Sequence, residues 1–121
     1  MIVAAHQAGW LSAVIELKND KSDRPQESRA KQYRDAGKPA PYVELDAGGI
    51  FLELLMEAGP VKTSPMGGYM ALDWVDLASY AALTLERVEP WEASLLRRMS
   101  QAYAAGLEEG KSPFSIAPAD R

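Results

Sequence analysis

Glu89-Pro90-Trp91-Glu92-Ala93-Ser94-Leu95-Leu96-Arg97-Arg98-Met99-Ser100-Gln101-Ala102-Tyr103-Ala104-Ala105-Gly106-Leu107-Glu108-Glu109-Gly110 is the stretch on which the reading of the fold turns. Trp91, Leu95, Met99, Ala102 and Gly106, with Leu96, Tyr103 and Leu107 alongside, recur at helical spacings opposite Glu92, Arg97, Arg98, Gln101 and Glu108. Such a period predicts a helix over 91–109 with a wide apolar stripe turned to a core. Pro90 suits a first turn, whose N–H groups have no intrahelical partner, and Gly110 suits the end.

Upstream of that helix, Asp73 reads as an N-cap with Asp76 near the N3 position, where a carboxylate complements the helix dipole. Trp74, Leu77, Ala78, Ala81 and Leu83 then give a short helix to about Thr84. Residues 59–71, with Gly59, Pro60, Pro65, Gly67 and Gly68, read as a loop. The most hydrophobic stretch precedes it: Tyr42, Val43, Leu45, Ile50, Phe51, Leu54, Leu55 and Ala58. Its spacing favours a helix, which Gly48-Gly49 could shorten to one starting at Ile50. Near the start, Val3, His6, Trp10, Ala13, Val14 and Leu17 form another helical stripe, ending near Lys18. Between 20 and 38 the charges are mixed, with Asp23 a candidate cap, Pro25 a candidate first-turn residue, and only Ala30 and Tyr33 suited to a core. This stretch reads as a solvated short helix or a linker, and Gly37-Lys38-Pro39-Ala40-Pro41 is a break.

The expected architecture is an all-α, single-domain bundle of about four or five helices, with 42–58 packed on 91–109 at its centre. Residues 1–41 would form an N-terminal helix and charged linker, 42–110 the helical core, and 111–121 a flexible tail. That tail, proline-rich, would be disordered or laid across a groove through Phe114 and Ile116.

A length of 121 residues suits one domain, and a hydrophobic fraction of 47% can fill a modest core. With no cysteine, thiol nucleophiles, disulfides and zinc–thiolate sites are excluded. The first ten residues have no basic region, and the apolar run soon gives way to Glu16, Lys18, Asp20 and Lys21, which suits neither a signal peptide nor a membrane span. The net charge is −4, distributed as +2 over residues 1–43 and −6 over 44–121. A negative surface repels a phosphate backbone, so nucleic acid is not the expected partner.

Few residues suggest chemistry. His6, the one histidine, lies on the first stripe, where a packed or partly exposed imidazole is weighed against a general base. Glu53/Glu57 and Asp73/Asp76 stand at helical spacing; solvated carboxylates are weighed against a cation site or a shared proton. Ser64-Pro65-Met66-Gly67-Gly68 lacks the lysine and spacing of a phosphate-binding loop and reads as a turn. No catalytic residue, cofactor or metal is expected, and the protein is read as non-enzymatic. Trp74, Tyr80, Trp91, Met99 and Tyr103 are the candidate partner-binding residues, because aromatic rings and adaptable methionines dominate protein interfaces; the plainer alternative is that they fill the core.

Phe51-Leu52-Glu53-Leu54, Met66-Gly67-Gly68, Leu72-Asp73-Trp74, Tyr80-Ala81, Glu89-Pro90-Trp91-Glu92 and Leu95 to Tyr103 together resemble small proteins of long-tailed bacteriophages and prophages, the tail assembly chaperones or minor tail proteins. The resemblance covers roughly residues 42–107. It implies a role in tail morphogenesis in the host cytoplasm, by binding the long helical tape measure protein and, further, tail tube subunits. Two other readings stay open: a structural minor tail or head–tail joining protein of the virion, and a small DNA-binding regulator built on a helix-turn-helix over Asp73 to Tyr103.

Overall fold

A computed structural model describes residues 1–16, 27–45 and 49–121. Of these, 57% are helical, so the protein is mostly helical, with one small sheet that the sequence reading lacks. In chain order the elements are α1 (Ile2–Ser12), α2 (Arg29–Asp35), α3 (Gly49–Ala58), β1 (Lys62–Thr63), β2 (Tyr69–Met70), α4 (Trp74–Thr84) and α5 (Pro90–Glu109). A single 3-10 turn, Pro118–Asp120, follows.

α5 begins and ends where its sequence says, with Pro90 at its first position and Gly110 as its C-cap. Its buried stripe is Leu96, Met99, Ser100, Tyr103 and Gly106. The main partner on that stripe is α1, not the 42–58 segment expected at the centre. Gly9 and Gly106 are the reason: a Cβ on Gly9 would stand 2.1 Å from the Tyr103 carbonyl oxygen, and one on Gly106 would stand 2.3 Å from that of His6. The two backbones touch where both lack a side chain, so residues that lower helix propensity here create a close backbone contact between the two helices.

α1 is buried over most of its circumference, at Ala4, Ala5, Gln7, Ala8, Gly9, Trp10 and Leu11. The single stripe expected there is corrected: Val3 is exposed and His6 only half-buried. The cause is a second cover on the side away from α5. Gln7, wholly buried, donates to the Pro41 carbonyl at 2.9 Å and accepts from the Ala119 N–H at 3.1 Å, so both ends of its amide are satisfied. The 111–121 segment is thus folded back over α1 rather than free of the body. It docks through Ala117 and Pro118, while Phe114 and Ile116, the expected anchors, are exposed.

α1 also stops at Ser12, earlier than expected. β-branched Val14 and Ile15 favour extended backbone, and Val14 pairs with Ser28 in an antiparallel bridge. The N-cap of α2 is Ser28, whose hydroxyl accepts from the Lys31 N–H. The expectations at Leu17, Lys18, Asp23, Pro25 and Gly48 lie outside the described residues. Where the sequence reading put only Ala30 and Tyr33 inward, Arg29 is buried. Its guanidinium lies 4.2 Å from the Trp10 ring centroid and donates to the carbonyls of Gly110 and Ser112, the latter at 2.8 Å. A cation on the last carbonyls of α5 is the favourable sign for a helix C-terminus.

The core cluster is Ala5, Leu55, Leu72, Leu77, Leu96 and Met99, which joins α1, α3, α4 and α5. Residues 59–71, read as a loop, contain the β1–β2 hairpin in the register Lys62↔Met70 and Thr63↔Tyr69. Gly67 and Gly68 take positive φ at its turn. Ser100, buried on α5, donates to the Pro60 carbonyl at 2.7 Å and accepts from the Leu72 N–H at 2.8 Å. One hydroxyl thereby fixes both ends of the hairpin segment to the central helix.

Candidate functional site

The five candidate binding residues divide. Met99 is 0% exposed and Tyr103 5%, with the Tyr103 hydroxyl donating to Ser12 Oγ at 2.8 Å and its acidity reduced by burial. Both belong to the core, so their place in a docking surface is corrected: they lie on the α5 face that α1 and the core cluster cover. Trp74 is 52% and Trp91 61% exposed. The Arg97 guanidinium stacks 4.6 Å from the Trp74 ring centroid, and its Nε is buried without a hydrogen-bond partner among the described residues. Trp91 meets Phe51 edge-on with centroids 5.6 Å apart. Tyr80 is half-buried and donates to Glu57 Oε2 at 2.9 Å, tying α4 to α3. Burial, with Glu57 beside it, raises the pKa of that phenol.

Several apolar residues that the sequence reading did not single out as binding candidates stand open. Leu83 is 85% and Leu85 91% exposed, and Ile50 and Val75 are also exposed. A signal for Leu83 was present: it falls off the Trp74–Leu77–Ala81 stripe, six residues after Leu77 on the far side of the helix. Leu85 carries a second cost. It ends α4 at φ 57°, ψ 24°, the left-handed conformation that glycine adopts freely and a leucine only at roughly 1–2 kcal/mol.

Geometrically, α3, α4 and α5 bring three ends together. Phe51 and Trp91 join the first turns of α3 and α5, and the short link from Leu85 to Glu89 joins the end of α4 to the start of α5. By their places in the chain, Ile50, Leu83, Leu85 and Trp91 stand at the ends of α3, α4 and α5 that these connections join. Hydrophobic side chains this open, rimmed by charge, are the usual ground of protein–protein contact.

The candidate chemical groups are engaged structurally. Asp73 and Asp76 form a reciprocal capping box, each accepting from the other's backbone N–H. Lys62 Nζ bridges their carboxylates at 3.1 and 2.8 Å. The Asp76 N–H first and the Lys62 ammonium second pull the Asp73 pKa down to about 2, while both carboxylates raise that of Lys62, Asp76 first. His6 Nε2 lies 2.8 Å from Glu109 Oε2, which Arg121 also meets at 2.8 Å. Burial pushes the Glu109 carboxyl up, but hydrogen bonds from Arg121 and His6 outweigh it and the net shift is downward. Among the described residues no hydroxyl stands against the second nitrogen of His6, and no three metal-ligating side chains converge. No described helix is long and apolar enough to cross a membrane.

Comparison with known proteins finds no match: no family model, no curated protein and no solved structure is detectably similar to this chain.

Proposed function

We propose that this protein acts by binding another protein, and that in the phage setting its motifs suggest it is a non-enzymatic tail assembly chaperone of the tape measure protein in the host cytoplasm. The observation that carries the reading is the exposure of Trp74 and Trp91 together with Ile50, Leu83 and Leu85, on helices whose other faces build the core. A folding surplus of large apolar surface is costly in water unless a partner covers it. A tape measure protein presents long apolar helix faces before tube subunits assemble around it, and an acidic helical protein with open aromatics could cover such faces reversibly.

The helix-turn-helix alternative loses ground on charge. The helix that would read bases, α5, leaves Ser94, Arg98, Gln101, Ala105 and Glu108 on its exposed face, one cation beside one carboxylate where a phosphate backbone calls for several cations.

Co-expression tests the proposal. The chain should co-purify with a tape measure protein from the same genome and raise the soluble fraction of that protein. A tape measure protein that stays insoluble and unbound in its presence refutes it. A chaperone is also expected to be absent from purified virions; its presence at fixed copy number by mass spectrometry would point to the structural reading instead.

A further inference from the structure

Exposed apolar side chains and net negative charge coincide in one stretch of the sequence. Ten of the fifteen large apolar side chains that stand exposed among the described residues fall between Gly49 and Glu92. The same span carries seven carboxylates against two cations, Lys62 and Arg87. Lys62 is held by Asp73 and Asp76, and Arg87 pairs with Glu89 at 3.3 Å. Glu53, Glu57, Glu86 and Glu92 are left without a cation among the described residues. Leu85 sharpens the point. A glycine there would end α4 without strain, so the leucine adds only an open apolar side chain at a conformational cost.

We propose that the end of the bundle formed by Ile50, Leu83, Leu85 and Trp91 is a docking surface for a basic amphipathic helix of a partner protein, apolar on one face and flanked by lysine or arginine. The inference rests on the reading of this chain as a protein-binding module and adds the charge and shape of what it binds. An acidic partner would set like charges against Glu53, Glu86 and Glu92, which costs affinity and slows encounter. A second copy of this chain meets the same objection, because a two-fold contact would bring the two acidic rims together. A β-strand is a poorer fit than a helix: the β1–β2 hairpin offers edges only two residues long, whereas the open side chains sit at helix ends.

The test uses synthetic peptides of about 18 residues, long enough to form helix on a surface. One places leucine on one face and lysine on the other, a second replaces lysine by glutamate, and a third keeps lysine but replaces leucine by serine. Titration into isotope-labelled protein, followed by NMR, should show the leucine/lysine peptide shifting the Ile50 and Leu85 amides and the Trp91 indole. The other two should bind at least about tenfold more weakly, and salt near 1 M, where the Debye length is about 3 Å, should weaken the first. The double variant E53K/E86K should weaken it about tenfold as well. Leu85→Gly keeps the test free of folding artefacts: it should leave the melting temperature unchanged or raise it while weakening the peptide several-fold. Equal or tighter binding of the leucine/glutamate peptide at this end would overturn the charge assignment and leave the protein-binding reading standing. Binding of neither leucine peptide here, or binding that all variants leave unchanged, would overturn the docking surface itself.

Discussion

Replacing Gly106 by alanine asks directly whether α1 and α5 meet backbone to backbone. The new Cβ would lie 2.3 Å from the His6 carbonyl oxygen and 2.6 Å from the Trp10 amide nitrogen, both in the main chain of α1. Comfortable contact lies near 3.5 Å, so the helices must part by roughly 1 Å. A gap of about that size forfeits a quarter to a half of the attraction at each neighbouring contact. Overpacking of this kind costs about 1–3 kcal/mol, and the upper end applies because neither neighbour is a side chain that can rotate away. Alanine returns about 1 kcal/mol through helix propensity. The net loss is therefore about 2 kcal/mol, or a fall of about 10 °C in Tm for a domain of this size. Thermal and urea unfolding by circular dichroism would read it. Gly49→Ala is the control: its Cβ would meet nothing within 4 Å, and it should be neutral or slightly stabilising. The pair Gly9→Ala with Gly106→Ala should cost less than the two singles added, since helices already parted accept the second methyl more easily. A Gly106→Ala protein as stable as the Gly49→Ala control would refute the packing.

Other expectations follow from single contacts. Ser100→Ala strands the Leu72 N–H and the Pro60 carbonyl and should cost about 2 kcal/mol in chemical denaturation; a loss below about 0.5 kcal/mol would show that other groups hold the hairpin. Met99→Ala should destabilise the fold by about 3 kcal/mol, whereas Trp91→Ala should change stability little and partner binding much; the reverse order would misplace the core. Asp73 has its folded-state pKa lowered to about 2, so its ionised form stabilises the protein above pH about 4 and that contribution is lost as pH falls towards 2. Asp73→Asn should therefore flatten the acid limb of a stability–pH curve in that window, and an unchanged limb would assign the acid sensitivity elsewhere.

The legible parts of the fold were those that local chemistry specifies. Pro90 and Gly110 bound α5, and Asp73 with Asp76 starts α4, because caps and first-turn residues act within a few positions of themselves. The hairpin was not legible: strands of two residues have no period to detect. The role of α1 is not legible in its own residues, for a physical reason. Gly9 and Gly106 look like weaknesses in isolated helices and become the contact only when each meets the other. Site residues suffered from the same dependence on partners. Trp74, Trp91, Met99 and Tyr103 are all plausible on either side of a surface, and only the placement of α1 over α5 sends Met99 and Tyr103 inward.

The burial of α1 between α5 and the 111–121 segment also sets an order of events during synthesis. Its closest partners lie about a hundred positions away, as His6 and Glu109 do at a separation of 103. At about 5–20 residues per second, Gly106 follows Gly9 out of the ribosome's catalytic centre by roughly 5–20 s. During that interval Trp10 and Leu11 can meet Arg29, Ala30, Tyr33 and Ala40, and Ala5 can meet Leu55, but the face of α1 that closes on α5 stays uncovered. Helical proteins ordinarily fold fast because their contacts are local, but here the decisive contact spans most of the chain and must wait for it. The nascent chain is thus committed to a late, single closing step, and a fragment ending before residue 90 should remain unfolded however complete its own helices look on paper.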